Sequence, residues 1–188
     1  MKLKLIAAAS LVAFSALANA QSSATLTYGV KNTDATPSVQ SHVTNMSVKT
    51  RAFTNVDLDA GINTETADKT NAVTNRYEIG VSTGYNVTDI FRGDVRVATG
   101  IKQKSGSPDF GYYSVEPGVS AKFGDFSARV AYRYRTAYDS NVNADTSQTM
   151  RYSVGYAITK QDSIKLGYDV QSGDGANKQT TIAYTRAF

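Results

Sequence analysis

Apolar and polar residues alternate with a period of two along most of the chain from Ala24 onward, and helical spacing is scarce. Between residues 125 and 138, for example, large apolar side chains occupy even positions and arginines occupy odd ones. The pattern predicts ten strands, each near the roughly 9–11 residues that a tilted strand needs to cross a bilayer. These strands cover residues 23–31, 43–53, 55–63, 75–86, 90–103, 111–123, 125–138, 148–159, 162–171 and 178–188.

The connections between these strands alternate in length. Five are long or intermediate and lie over residues 32–42, 64–74, 104–110, 139–147 and 172–177. The four between them are short, at residues 54, 86–89, 124–125 and 160–161. Transmembrane barrels of the outer membrane show short periplasmic turns, longer external loops and an even number of strands. The pattern therefore predicts an up-and-down barrel with both chain ends on the periplasmic side.

The composition of the two strand faces separates a soluble barrel from a membrane barrel. A soluble barrel has an apolar interior, whereas a membrane barrel presents its apolar face to lipid. Eleven of the twelve tyrosines fall on the apolar parity, all but Tyr112, and tyrosine collects at membrane interfaces. Eight glycines fall on the charged parity, where they leave room for long side chains: 29, 61, 80, 84, 100, 118, 155 and 167. The predicted fold is an all-β, antiparallel transmembrane barrel of about ten strands.

The first twenty residues have the pattern of a signal peptide. Lys2 and Lys4 precede a short apolar run, and residues 18–20 read Ala-Asn-Ala, a small-residue cleavage site. The predicted organisation is a signal peptide over residues 1–20 and one barrel over residues 21–188. Without the two signal lysines, 18 basic residues face 16 acidic ones, so neither charge nor export favours a nucleic-acid partner. The absence of cysteine excludes a disulfide framework.

The charged parity defines a predicted interior in which 13 basic residues outnumber six acidic ones. Rings of Arg and Lys confer anion preference on a hydrated pore. The strongest pore-lining candidates are Arg129, Arg133, Arg135 and Arg151, followed by Lys165, Lys49, Arg51, Arg92 and Arg96. Of these we expect Arg92 and Arg96 to form a paired network with Asp94 near the periplasmic end. The six predicted interior acids are Asp57, Asp59, Glu78, Asp94, Glu116 and Asp169.

Two interpretations of this interior compete. In one, the charges pair across a filled, non-conducting barrel, since ten strands barely exceed the eight at which side chains fill the interior. In the other, a narrow hydrated lumen attracts anions. Desolvating a charge that has no partner costs several kcal/mol, so seven surplus cations disfavour a dry interior.

Two segments resemble known outer-membrane proteins. The last strand, with apolar Ile182, Tyr184 and Phe188 at alternate positions, resembles the terminal-aromatic assembly signal, from which Arg186 departs. That resemblance implies recognition by the barrel-assembly machinery. The Arg/Tyr alternation of residues 126–135 and 151–156 resembles the oligogalacturonate-specific porins, and equally generic small barrels. The porin resemblance implies a narrow, monomeric, anion-conducting barrel, although that family is longer and has twelve strands.

Enzyme chemistry finds little support in the chain. The barrel enzymes of the outer membrane generally use a histidine beside a serine or a carboxylate, and the single histidine is His42. Strand alternation places Ser41 and His42 on opposite faces. We expect no catalytic site, no metal site and no cofactor.

Pro117 lies inside a predicted strand, where it cannot donate a hydrogen bond to the neighbouring strand, and we interpret it as a β-bulge.

The sequence thus predicts a monomeric outer-membrane channel for passive diffusion of small hydrophilic, preferentially anionic solutes, acidic oligosaccharides among them. The partners expected are lipid, the assembly machinery and these solutes. The alternative is a non-conducting barrel that acts through its external loops.

Overall fold

A computed structural model describes residues 21–34 and 39–188. The predicted signal peptide lies outside the described residues. The described chain forms ten antiparallel strands, and no helix in it is long and apolar enough to span a bilayer. The strands are β1 (Ser22–Thr33), β2 (Gln40–Phe53), β3 (Val56–Ala67), β4 (Val73–Asn86), β5 (Phe91–Lys104), β6 (Phe110–Phe123), β7 (Phe126–Ala137), β8 (Ser147–Ala157), β9 (Asp162–Gly173) and β10 (Asn177–Ala187).

The strands close into a barrel, which confirms the predicted fold class. Every strand pairs with its neighbours in the chain, and β1 pairs with β10, with Leu26 opposite Tyr184. Closure leaves no strand edge unpaired. The largest departure from the predicted boundaries is in β3, which continues to Ala67 rather than ending at residue 63. Glu65 therefore belongs to a strand and not to a loop.

The two ends of the barrel differ in their connections. Both described chain ends share one end of the barrel with the turns over 54–55, 87–90, 124–125 and 158–161. The opposite end carries the end of β1, the start of β2 and the connections over 68–72, 105–109, 138–146 and 174–176. The last of these is shorter than two of the turns, so the alternation in length is not strict. Gly173 and Gly175, both with positive φ, allow this tight reversal. We call the first end periplasmic and the second external, following the general rule for such barrels.

The outward face is apolar, and the inward face is polar. Met46, Val97 and Leu166 each expose about half or more of their surface on the outside. Tyr112, by contrast, is 1% exposed, and its hydroxyl donates a hydrogen bond to Glu78 inside the barrel. The predicted division of the faces is therefore confirmed, including the one tyrosine that departs from it. An outward face of this composition requires lipid rather than water around it.

The predicted bulge at Pro117 is wrong. Val115 pairs with Tyr134 and Gly118 with Ala131, so the register between β6 and β7 is the same before and after the proline. The ladder is only interrupted there, because proline has no N–H to donate. The register shift that the structure does contain lies at the periplasmic end of β2, between Arg51 and Phe53.

Candidate functional site: the charged lumen

A cavity of about 510 Å³ lies inside the barrel and is lined by residues from all ten strands. Its wall extends from Ser23 and Asp57 in the periplasmic half to Glu65 and Asn177 in the external half. Ten basic and seven acidic residues contribute to it. The basic residues are Lys31, Lys49, Arg76, Arg92, Arg96, Arg129, Arg133, Arg135, Arg151 and Lys165, and the acidic ones are Asp57, Asp59, Glu65, Glu78, Asp94, Glu116 and Asp169.

Eight of the nine predicted pore-lining residues lie on this wall, and Arg51 does not. Arg51 stands at the periplasmic end of β2, next to the register shift, where its side chain is 44% exposed. It pairs with Asp57 at 2.9 Å, and Lys49 contacts the other oxygen of that carboxylate at 2.8 Å. Arg51 pairs with Asp57 in the regular register of β2 and β3 and so keeps the inward parity, but it lies at the strand end and reaches the rim rather than the cavity wall.

Glu116 is the centre of the largest group of ion pairs in the middle of the lumen. It is 3% exposed and accepts hydrogen bonds from Arg129 at 2.9 Å and Arg151 at 2.8 Å. Arg129 also contacts Asp94 at 2.6 Å, and Arg151 contacts Asp169 at 3.2 Å. The group joins β5, β6, β7, β8 and β9. Both arginines of this group are therefore already neutralised by acids of the wall.

A second central group contradicts the predicted pairing of Arg92, Arg96 and Asp94. Arg96 reaches Glu78 at 2.6 Å and donates from Nε to Asp59 at 3.0 Å, while Asp94 is bound by Arg129. The Arg92 guanidinium makes no ion pair among the described residues and donates a long hydrogen bond, 3.5 Å, to Asn86. Long arginine side chains pass over neighbouring strands, so the nearest acid in sequence is not their partner.

The external part of the barrel contains two further groups of ion pairs that the sequence interpretation missed. Glu65 pairs with Lys31 at 2.8 Å and with Arg76 at 3.5 Å. Asp145, from the connection between β7 and β8, is held by Lys102 at 2.6 Å and Arg135 at 3.0 Å. Strand parity could have found both acids, since Glu65 continues the odd inward positions of β3 and Asp145 those of β8. They raise the interior acids from the predicted six to eight.

Arg133 differs from these paired arginines. Within the described part of the chain it makes no ion pair, and its buried Nε has no hydrogen-bond partner. Its charged neighbours are Arg151 and Arg135, of the same sign, and Glu116 and Glu78, which other cations already hold. Lys165, also on the wall, likewise lacks an ion pair among the described residues. These two cations remain available to a mobile anion.

A second cavity, of about 420 Å³, lies at the external end, and we call it the vestibule. Loop residues such as Thr70, Ala144 and Gly175 contribute to its wall. Five residues line both the vestibule and the lumen cavity, and they mark the boundary between the two. They are Lys31, Glu65, Arg76, Arg135 and Gln171.

The remaining predicted positions lie on the outward face. Tyr184 and Phe188, the aromatics of the predicted assembly signal, are both exposed there. Arg186, which departs from that signal, pairs with Asp162 of β9 at 3.4 Å. His42 contacts Tyr28 at 2.6 Å and Asp68 at 3.3 Å, whereas Ser41 is buried inside. The opposite orientation of Ser41 and His42 is as predicted, and the two do not form a catalytic pair.

No family model and no curated protein matches the sequence, but several solved structures match the fold. The COG4313 outer membrane channel from Pseudomonas putida F1 is 10% identical, with a TM-score of 0.59 over 90% of this chain and 96% of that one. The NanC porin is 11% identical, with a TM-score of 0.52 over 88% and 100% of the two chains. The KdgM porin, in complex with disordered oligogalacturonate, is 12% identical, with a TM-score of 0.50 over 88% and 99%. These similarities show the fold of an outer-membrane-type barrel, and they confirm the loose resemblance to the oligogalacturonate porin at that level.

Proposed function

We propose that this protein is a porin-like channel of the outer membrane that allows passive diffusion of small hydrophilic solutes and prefers anions. The observation that carries the proposal is Arg133, a cation without an acidic partner in the middle of a polar lumen. A buried guanidinium with no counter-charge is costly unless water or an anion reaches it. Arg133 therefore supports a hydrated lumen.

The charge of the whole wall supports the same direction of selectivity. Ten basic residues against seven acidic ones leave a surplus of three positive charges on the lumen cavity. This is smaller than the surplus of seven expected from the sequence, because Arg51, Lys102 and Lys122 do not line the cavity and Glu65 does. A surplus of this sign inside a low-dielectric wall raises the local concentration of anions. We expect a moderate preference rather than strict exclusion of cations.

The similar structures are consistent with this role. Two of them are porins and one is an outer membrane channel, and one porin structure holds oligogalacturonate, an acidic oligosaccharide. We include acidic oligosaccharides among the solutes proposed here, carried by a monomeric barrel without catalytic activity. Their negatively charged carboxylates complement the positive charges of Arg133 and Lys165, which have no ion-pair partner among the described residues.

Reversal potentials in a planar bilayer under a KCl gradient test the proposal. Wild-type protein should show anion preference, and Arg133→Glu should shift the reversal potential toward cation preference, since it lowers the surplus on the wall from three to one. Lys122→Glu is the matched control, because it makes the same change of charge at an exposed periplasmic position that lines neither cavity. Equal potentials for the two variants would show that ions do not pass Arg133.

The alternative function is a non-conducting barrel that acts through its external loops. The observation that favours it is the density of ion pairs inside the barrel, where five groups of cations and acids link neighbouring strands and one connection. Absence of conductance at any voltage from correctly folded protein would support this alternative and overturn the channel.

A further inference from the structure

An acidic residue of the longest connection is folded into the mouth of the barrel. Asp145 belongs to the connection over 138–146, yet it is only 2% exposed. Residues 139–142 of the same connection are exposed. The backbone N–H of the next residue, Thr146, donates to Oδ2 of Asp174 in the neighbouring turn at 2.8 Å. The Thr146 carbonyl oxygen accepts from the Asp174 backbone N–H, also at 2.8 Å. One end of this loop is therefore anchored, and Asp145 reaches inward beside the anchor.

The contacts of Asp145 describe a site for a carboxylate. Lys102 and Arg135 both donate to the same oxygen, Oδ1, at 2.6 and 3.0 Å. The other oxygen, Oδ2, is buried without a hydrogen-bond partner, and so is Nε of Arg135. An arginine can bind a carboxylate through two parallel hydrogen bonds. The loop carboxylate thus occupies the site without using all of the capacity of either partner.

The two cations are held in place independently of Asp145. Arg135 lies 5.6 Å from the centre of the Tyr112 ring, and Lys102 lies 5.2 Å from the centre of the Phe110 ring. Cation–π contacts of this length are attractive. Both cations are on strands of the closed barrel rather than on loops. The site would persist after the loop carboxylate had left it.

The position of the site connects it with entry into the lumen. Asp145 and Lys102 line the vestibule, and Arg135 lines both cavities at their boundary. A solute that enters from outside reaches Lys102 and Arg135 before it reaches Arg133. Any carboxylate that it carries meets a site already filled by the same chemical group.

We propose that Lys102 and Arg135 form an entry site for the carboxylate of an anionic solute, and that Asp145 occupies this site until a solute displaces it. The inference deepens the proposed channel function and rests on it for its physiological meaning. Displacement exchanges one carboxylate for another, so neither cation loses its counter-charge. An uncharged solute gains no such exchange, and the loop stays in place.

Thiol labelling tests the displacement without requiring conduction. The chain has no cysteine, and Ser147, 1% exposed beside the loop, can be replaced by the near-isosteric cysteine. In folded Ser147→Cys protein, the rate of labelling by a polar maleimide should rise about tenfold when Asp145→Asn is added, because a neutral amide binds Lys102 and Arg135 more weakly than a carboxylate does. Asp139→Asn, an exposed carboxylate of the same loop, is the matched control and should leave the rate unchanged.

Galacturonate should also raise the labelling rate of Ser147→Cys, whereas galactose, its neutral counterpart, should not. Lys102→Gln should weaken the effect of galacturonate. Equal effects of the two sugars, or a labelling rate that Asp145→Asn does not change, would overturn the inference. A barrel that does not conduct but still shows both labelling effects would contradict the channel proposal alone and leave the carboxylate site standing.

Discussion

Glycines on the inward face make room for the side chains that fill the lumen. A Cβ added at Gly80 would lie 2.7 Å from a guanidinium nitrogen of Arg96, and one added at Gly118 would lie 2.6 Å from that of Arg129. The guanidinium end of an arginine can move, so these two positions tolerate some change. Gly100 is different. Its added Cβ would meet the backbone carbonyl of Tyr77 and lie 2.7 Å from the Tyr112 ring.

We therefore predict that Gly100→Ala destabilises the barrel by about 1–3 kcal/mol, the usual cost of overpacking. Gly93→Ala, on the same strand, is the matched control, because its Cβ would meet nothing closer than 3.9 Å. Guanidinium unfolding in lipid vesicles, followed by circular dichroism, measures both variants; the chain has no tryptophan for fluorescence. Equal midpoints for the two variants would show that the backbone adjusts at Gly100.

Along a single strand, the alternation of residues was enough to predict which side chains face lipid and which face the lumen. It assigned the lipid and lumen faces, singled out Tyr112 and identified eight residues of the cavity wall. It failed where a strand ends, as at Arg51, because parity gives the face of a residue but not its distance from the cavity along the barrel axis. The predicted strand boundaries also excluded Glu65 and Asp145, although both residues continue the inward parity of β3 and β8.

The pairing of charges was not predictable in the same way. Asp94 lies two residues from both Arg92 and Arg96, yet its partner is Arg129, 35 positions away. Which side chains meet across neighbouring strands depends on the stagger of the closed barrel and on the length of each arm. The alternation of residues along one strand gives neither the stagger between strands nor the reach of a side chain. The sign of the lumen charge therefore followed from the sequence, whereas its magnitude did not.

Glu116 of β6 allows the pairing to be tested through two readouts that should move in opposite directions. Glu116→Gln leaves Arg129 and Arg151 with one acid each, and we expect a loss of about 2–3 kcal/mol in the free energy of unfolding. The same change raises the surplus on the wall from three to four, so anion preference should increase. Asp89→Asn, in an exposed periplasmic turn, should alter neither quantity. A stable variant with unchanged selectivity would contradict the central position of Glu116.

The molecule as a whole has an apolar outer surface and a charged interior. Apolar side chains cover the outside, where lipid is required, and the closed sheet satisfies the backbone. The charges are enclosed in the lumen, where most acids hold one or two cations. The surplus of three positive charges on the wall is thus larger than the net charge of +2 that residues 21–188 carry, because acids outnumber bases by one in the rest of the chain.

A selectivity that arises from this enclosed field must depend on salt. The Debye length falls from about 10 Å at 0.1 M to about 3 Å at 1 M, shorter than the width of a barrel. The ratio of anion to cation permeability should therefore decline toward one over this range, and wild type and Arg133→Glu should converge at the upper end. Reversal potentials at a fixed concentration ratio, measured at increasing mean concentration, provide the test. A ratio that stays constant would mean that anions are selected by contact with individual cations such as Arg133 and Lys165, since direct contacts inside a narrow lumen escape screening.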